Sequence, residues 1–313
     1  MASPHDAHLL QRASCNDRGP CGRVGLNIML APPITNALTI DVEDYFQVSA
    51  FARYIRRDEW DQRECRVERN VGRILQLLAD RDVKATFFTL GWIAERYPQL
   101  VKHIVDSGHE LASHGYGHER ASDLDRKTFA RDVTHAKHLL EDLAGRPVLG
   151  YRAPSFSIGA ANLWAFDVLA EAGYRYSSSI YPLKHDHYGM PDSPRFAYRV
   201  GSGALLEVPV TTLRVLNRNL PSSGGGYFRL LPYSLSRWMI GRVNTEDREA
   251  AIFYFHPWEL DTEQPRVAGI DVKTRFRHYV NIPRMEGRLQ SLLSDFRWGR
   301  MDQIFLGRAV APA

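Results

Sequence analysis

Residues 85–118 read ATFFTLGWIAERYPQLVKHIVDSGHELASHGYGH. The start, Ala85-Thr86-Phe87-Phe88-Thr89, is rich in β-branched and aromatic residues and predicts a strand. Pro98 opens a helix carrying Leu100, Val101, Ile104 and Val105, which Gly108 closes. Glu110-Leu111-Ala112-Ser113 is a second short strand running directly into His114. Strand, helix, strand is the unit of a parallel sheet, and in an α/β barrel the C-terminal strand ends carry the chemistry.

The same rhythm extends both ways. Upstream, Ala37-Leu38-Thr39-Ile40 reads as a buried strand ending in Asp41-Val42-Glu43-Asp44, and Val71, Ile74, Leu75 and Leu78 predict a helix over 66–80. Downstream come a helix over 126–143 stopped by Gly145 and Pro147, and a strand over 148–151. A helix over 160–172 ending at Gly173 and strands over 205–210 and 251–255 follow. Six or more such units in about 220 residues suit a barrel better than a small open sheet. After residue 260 the rhythm fails. Residues 261–281 are basic and aromatic with little periodicity, a helix near 284–295 follows, and Phe296-Arg297-Trp298-Gly299-Arg300 closes the chain. The expected organisation is a disordered extension over 1–35, a barrel over 36–260 and a C-terminal appendage over 261–313 packed on it. Gly224-Gly225-Gly226 reads as a flexible loop, because no Lys-Ser/Thr follows to make it a phosphate loop.

The chain has 313 residues, 44% hydrophobic and 24% charged, with a net charge of +4. Its charges are interspersed, so no nucleic-acid partner is expected. No run reaches the roughly 20 apolar residues of a membrane span. Leu26 to Ala31 is too short for a signal-peptide core, and Met29 is an alternative start. Cys15, Cys21 and Cys65 are odd in number and form no Cys-x-x-Cys pair. Cytoplasmic residence is the expectation.

Four clusters fall at predicted strand ends. Asp41, Glu43 and Asp44 repel one another, which a solvated turn tolerates and a cation would relieve. His114 and His118, four apart, would face the same way on a helical turn and could share a metal ion; two surface histidines are the plainer reading. Arg152 in Tyr151-Arg152-Ala153-Pro154-Ser155 could clamp a carboxylate or form a surface ion pair. His256, in Phe253-Tyr254-Phe255-His256-Pro257-Trp258-Glu259, could be a proton donor or a hydrogen-bonded structural histidine. His103, His109, His135, His138, His185, His187 and His278 carry no functional expectation.

In this order the clusters resemble the polysaccharide deacetylases of carbohydrate esterase family 4, which share the NodB homology domain. The resemblance spans roughly residues 37–260. Asp41-Val42-Glu43-Asp44 looks like the first motif, residues 85–92 like the Thr-Phe-Phe strand and Ser113-His114 to His118 like the His-x-x-x-His motif. Arg152-Ala153-Pro154 resembles the Arg-x-Pro motif, and His256 the last catalytic histidine. The C-terminal part is similar to the subgroup associated with exosortase and exopolysaccharide clusters.

The resemblance implies an α/β fold, a distorted (β/α) barrel with fewer than eight repeats. It implies Asp41 as general base, Arg152 orienting it and His256 as general acid. His114, His118 and an acidic residue would bind a divalent metal, zinc first, with cobalt, nickel or iron as alternatives. Glu43 is favoured over Asp44 as the third ligand, because i and i+2 on an extended strand point alike. The Ser155 backbone N–H is the expected oxyanion donor. The implied substrate is an N-acetylated polysaccharide or a lipid-linked precursor. A ureide-type hydrolase and an inactive glycan-binding module are the alternatives. Where relatives carry Tyr-Asp-Ser, this chain has Tyr176-Ser177-Ser178, which leaves open how His256 is held.

Overall fold

The computed structural model describes residues 33–184, 189–201 and 203–307. Most of the extension expected over 1–35, with Cys15 and Cys21, lies outside the described residues, as do His185 and His187. Residues 33–35 are described, and Thr35 already begins the first strand.

Among the described residues, seven parallel strands form the main path of the sheet: β1 (Thr35–Val42), β2 (Thr86–Thr89), β3 (Glu110–Ser113), β4 (Gly150–Tyr151), β5 (Tyr176–Ser177), β7 (Leu205–Glu207) and β10 (Ile252–Phe255). Their order is β10-β1-β2-β3-β4-β5-β7, with the antiparallel β6 (Tyr198–Val200) on the outer edge of β7. Seven parallel strands agree with a distorted barrel of fewer than eight repeats. Nearly every residue of β1, β2 and β3 is buried, as expected when helices cover one face and the barrel interior fills the other. Between β7 and β10 side chains take over from strand pairing. The Ile252 N–H donates to Thr211 Oγ1 at 2.6 Å, and Ser223 Oγ donates to the Ile252 carbonyl at 2.6 Å.

Helices α1 (Val67–Ala79), α2 (Gly91–Arg96), α3 (Pro98–Asp106), α4 (Arg126–Ala144) and α5 (Trp164–Glu171) fill the first crossovers. Helix α1 buries Val67, Val71, Ile74, Leu75 and Leu78. Helix α4 starts where Asp125 accepts the Thr128 N–H at 2.8 Å and stops at Gly145, φ 62°. The last third adds the hairpin β8 (Thr212–Val215)–β9 (Arg218–Pro221), helices α6 (Gly225–Leu230), α7 (Tyr233–Arg242), α8 (Val272–Tyr279) and α9 (Ile282–Asp295), then β11 (Arg297–Gly299) and α10 (Met301–Phe305).

Two expectations need correction here. Gly224-Gly225-Gly226 is not a flexible loop but the packed start of α6, where a Cβ on Gly225 would lie 2.1 Å from Glu259 Oε1. Residues 261–281 contain α8, capped by Asp271 accepting from the Thr274 N–H at 2.9 Å. Its apolar residues Val272 and Phe276 are exposed and its one buried side chain is His278, so no apolar stripe marks the helix.

The segment beyond residue 260 is built into the barrel. Strand β11 pairs in parallel with the start of β1, Thr35 facing Arg297. Met301, Ile304 and Phe305 of α10 pack with Ala37, Phe88, Ala112 and Tyr176 at the base of the interior. There the fully buried Glu110 accepts from Thr86 Oγ1 (2.5 Å), Tyr176 OH (2.8 Å) and the Asp302 N–H (3.1 Å). Burial, with the neighbouring Asp302 carboxylate, pushes the Glu110 carboxyl up from 4.5 to about 7. An acid raised on folding holds its proton in the native state while the unfolded chain has lost it. Stability therefore falls as pH rises from about 4.5 to about 7. Glu110→Gln is expected to raise the thermal midpoint by several degrees at about pH 8 and to leave it nearly unchanged at about pH 4.5. Equal shifts at both pH values in a melting series would contradict this.

Candidate metal centre and active site

The C-terminal ends of β1, β3, β4 and β10 deliver the side chains of interest. Extended backbone at the end of β1 puts Asp41 and Glu43 on the same side. Asp41 Oδ1 accepts from Arg152 Nη1 at 2.6 Å, and Arg152 is fully buried beyond β4. The same Nη1 reaches Thr39 Oγ1 at 2.9 Å. Nε donates to the Ser178 carbonyl at 3.2 Å and Nη2 to Ser178 Oγ at 3.1 Å. The Phe88 ring lies 4.1 Å from the guanidinium carbon, so the Arg152–Asp41 geometry is fixed from several directions.

His114 leaves β3 directly. Its Nδ1 lies 2.8 Å from the Arg152 carbonyl oxygen, so Nδ1–H donates there and Nε2 keeps its lone pair. Burial lowers the imidazole to about 4 against the opposing pull of Asp41, which keeps it neutral near pH 7. His118 returns to the same place, though not by the helical turn expected. Residues 114–118 form an irregular loop in which Gly115 has φ 74° and His118 φ 57°. A Cβ on Gly115 would meet Asp132 Oδ2 at 2.9 Å, and the same carboxylate accepts the Tyr116 N–H at 3.2 Å. Asp132 thus clamps the loop that carries both histidines.

Glu43 completes the group. One ligand atom each from Glu43, His114 and His118 lies within 4.8 Å of the others. Glu43 Oε2 is 2.7 Å from His118 Nε2, and Trp258 Nε1 donates to Glu43 Oε1 at 3.4 Å. Burial would raise the Glu43 carboxyl, but His118 and His256 outweigh it and hold it at about 2. Two imidazoles and one ionised carboxylate, buried together, fit a divalent cation with a further position left for water or substrate.

Asp44, the rival third ligand, is turned elsewhere. Its carboxylate accepts from the backbone N–H of Tyr45 (2.7 Å) and of Arg66 (2.5 Å) and from Cys65 Sγ (3.2 Å), tying the first motif to the start of α1. Asp44→Ala is expected to lower stability by about 2 kcal/mol and to leave zinc stoichiometry unchanged, whereas Glu43→Gln weakens zinc binding. Zinc titration and thermal melts check both, and zinc lost from the Asp44 variant would reverse the assignment.

On the far side, His256 follows β10. Its Nε2 lies 3.5 Å from Glu43 Oε1 and 4.0 Å from Asp41 Oδ2. Its Nδ1 lies 2.8 Å from Glu259 Oε1. Burial would lower the imidazole, but Glu43, Glu259 and Asp41 raise it to about 9, so it is protonated near neutral pH. The ring stacks on Trp258 at 5.3 Å and 16°. Ser177, where the family resemblance led to the expectation of an aspartate, is buried and its Oγ bonds Ser179 Oγ at 2.8 Å. Glu259 contacts His256 instead. The sequence gives no role to Glu259, Thr39, Ser178 or Asp132. Only Glu259 carried a signal, three residues after His256 across a proline, the spacing of a capped turn.

Ser155 lies in the turn after Arg152 with φ 56° and ψ 27°, followed by Phe156 at φ 50°. Two successive left-handed non-glycine residues store strain, which concentrates at functional sites. Ser155 Oγ is 2.5 Å from Ser49 Oγ.

Residues 59–177 match the polysaccharide deacetylase family, and residues 178–306 match a domain of unknown function, DUF3473. The first match holds His114, His118 and Arg152; Asp41 and Glu43 precede it, and His256 lies in the second. Over that first part the chain is similar to polysaccharide deacetylases. Over 118 residues it is 30% identical to a peptidoglycan deacetylase of Helicobacter pylori, covering 36% of this chain and 38% of that protein. Over 142 residues it is 28% identical to a chitooligosaccharide deacetylase of Sinorhizobium fredii, covering 45% and 60%. The chain thus spans 38% and 60% of these two relatives. A Mycobacterium smegmatis structure described as a candidate polysaccharide deacetylase shares the fold at 22% identity and TM-score 0.59, covering 90% of this chain and 96% of that one. PuuE allantoinase does so at 16% identity and TM-score 0.57, covering 92% and 96%.

Proposed function

We propose that this protein is a metal-dependent hydrolase that removes N-acetyl groups from N-acetylhexosamine units of a polysaccharide, an exopolysaccharide or its lipid-linked precursor. One observation carries the reading. The Arg152-held Asp41 carboxylate and His256, whose Nδ1 faces Glu259, both lie beside the Glu43, His114 and His118 group. That juxtaposition supports Asp41 as base and His256 as acid around one cation site.

Glu43, His114 and His118 would hold the ion, zinc by their donor set. When bound, it supplies Lewis acidity toward the acetamide carbonyl and water. Asp41, freed of competing roles by Arg152, takes the proton from the attacking water. The Ser155 N–H is the backbone donor assigned to the developing oxyanion, a contribution typically worth about 3–4 kcal/mol. His256 hands its proton to the departing amine, a very poor leaving group otherwise. Acetate and a free amino sugar result. Cytoplasmic residence rests on the cysteine pattern alone.

PuuE allantoinase shares the fold, so cleavage of a ureide C–N bond is the second reading. Incubating zinc-loaded protein with N-acetylglucosamine oligomers and, separately, with allantoin separates the two. Acetate from the oligomers supports the deacetylase. Ring-opened allantoin without acetate supports the alternative. Oligomer binding with neither product indicates a glycan-binding module.

A further inference from the structure

The segment matched as a domain of unknown function contributes more than His256. Glu259, fully buried, shares one carboxylate between two partners. Its Oε1 accepts both from His256 Nδ1 at 2.8 Å and from the His256 backbone N–H at 3.1 Å. Its Oε2 accepts from Arg229 Nε at 2.6 Å. Arg229 is itself buried, and its Nη1 donates to the His278 and Val280 carbonyls at 2.9 and 2.7 Å, at the end of α8. Trp258 lies between His256 and His278, the latter ring 4.1 Å away at 11°. The start of α6 closes the remaining side, because a Cβ at Gly225 would lie only 2.1–2.3 Å from the Glu259 carboxylate.

A buried ion pair is a weak device for stability. Here its geometry fixes every freedom of one imidazole. The Nδ1 contact keeps a proton on Nδ1, the Trp258 stack selects the ring plane, and Nε2 is left facing Asp41 and Glu43.

We propose that Glu259, held by Arg229 and by the glycine-lined start of α6, is the positioning residue for His256, and that supplying this tether is a catalytic task of the 178–306 segment. This rests on reading His256 as the proton donor to the leaving amine. A carboxylate orienting a catalytic imidazole through Nδ1–H can be worth up to about 10⁴ in turnover.

The test compares two substrates on zinc-loaded enzyme: an N-acetylglucosamine oligomer, whose amine must be protonated to leave, and an activated aryl acetate, whose phenolate needs no proton. Glu259→Gln is expected to lower kcat on the oligomer at least about a hundredfold and on the aryl acetate less than about threefold, with KM and zinc content unchanged. Glu259→Asp keeps a charge for Arg229, so the fold is kept, but withdraws the carboxylate from His256. The same selective loss is expected of it. Parallel losses on both substrates, tracking zinc content or the thermal midpoint, would show a structural role and overturn the proposal. His256→Ala separates the two layers. If it loses the oligomer selectively while the Glu259 variants do not, the tether fails and the acid reading stands. If it shows no selective loss, the acid reading itself fails.

Discussion

Asp41→Asn is expected to lower turnover of N-acetylglucosamine oligomers by about 10³-fold while zinc remains bound. The size follows from losing a general base, typically worth 10² to 10⁴. Asparagine keeps the volume and an oxygen for Arg152 Nη1, which lies 2.6 Å from Asp41 Oδ1. Thr39 and Ser178 still hold the guanidinium, so the site remains assembled. Glu43, His114 and His118 are untouched, so metal content measured by elemental analysis stays stoichiometric. Normal acetate release from this variant would remove Asp41 from the mechanism.

Arg152→Met produces the largest expected loss of stability. Truncating one member of a buried pair strands the other, at a cost of about 3–5 kcal/mol. Asp41 would be left buried without its counter-charge, and the Ser178 carbonyl and hydroxyl would lose their donors. The Phe88, Phe156 and Tyr254 rings, 4.1–5.7 Å from the guanidinium carbon, would lose their cation. Adding Asp41→Asn removes the stranded charge. The double variant is therefore expected to be more stable than Arg152→Met alone, while activity stays absent. Denaturant unfolding of the four proteins measures the coupling. Additive losses would mean that Asp41 and Arg152 do not act as a pair.

Most of the barrel was legible because parallel strands buried on both faces are near-continuous apolar runs, and the helices between them bury one clean stripe. His114 and His118 were legible from spacing and from the strand that precedes them. The reason attached to the spacing was wrong, because a left-handed loop held by Asp132, not a helical turn, brings them together. That Glu43, not Asp44, lies on the side of the two histidines followed from strand alternation. What fixes Asp44 is the backbone of Arg66, 22 residues away, which no local pattern encodes.

The support of His256 was the least legible part. Arg229 and Glu259 are 30 residues apart and meet only because α6 folds against the turn after β10. The three glycines beside them carried the right emphasis and the wrong meaning. Gly225 is required by close approach of a carboxylate, not by flexibility. Strand β6 escaped notice because it is a half-buried edge strand of three residues, too short for alternation to register.

The central claim is that one cation site, a base and an acid act together on an N-acetyl group. Mass spectrometry of N-acetylglucosamine oligomers incubated with zinc-loaded protein tests it directly. The expected result is products lighter by whole acetyl groups with one acetate released for each, abolished by a chelator and restored by zinc. Oligomers of unchanged mass after incubation with stoichiometrically zinc-loaded, folded protein would contradict it.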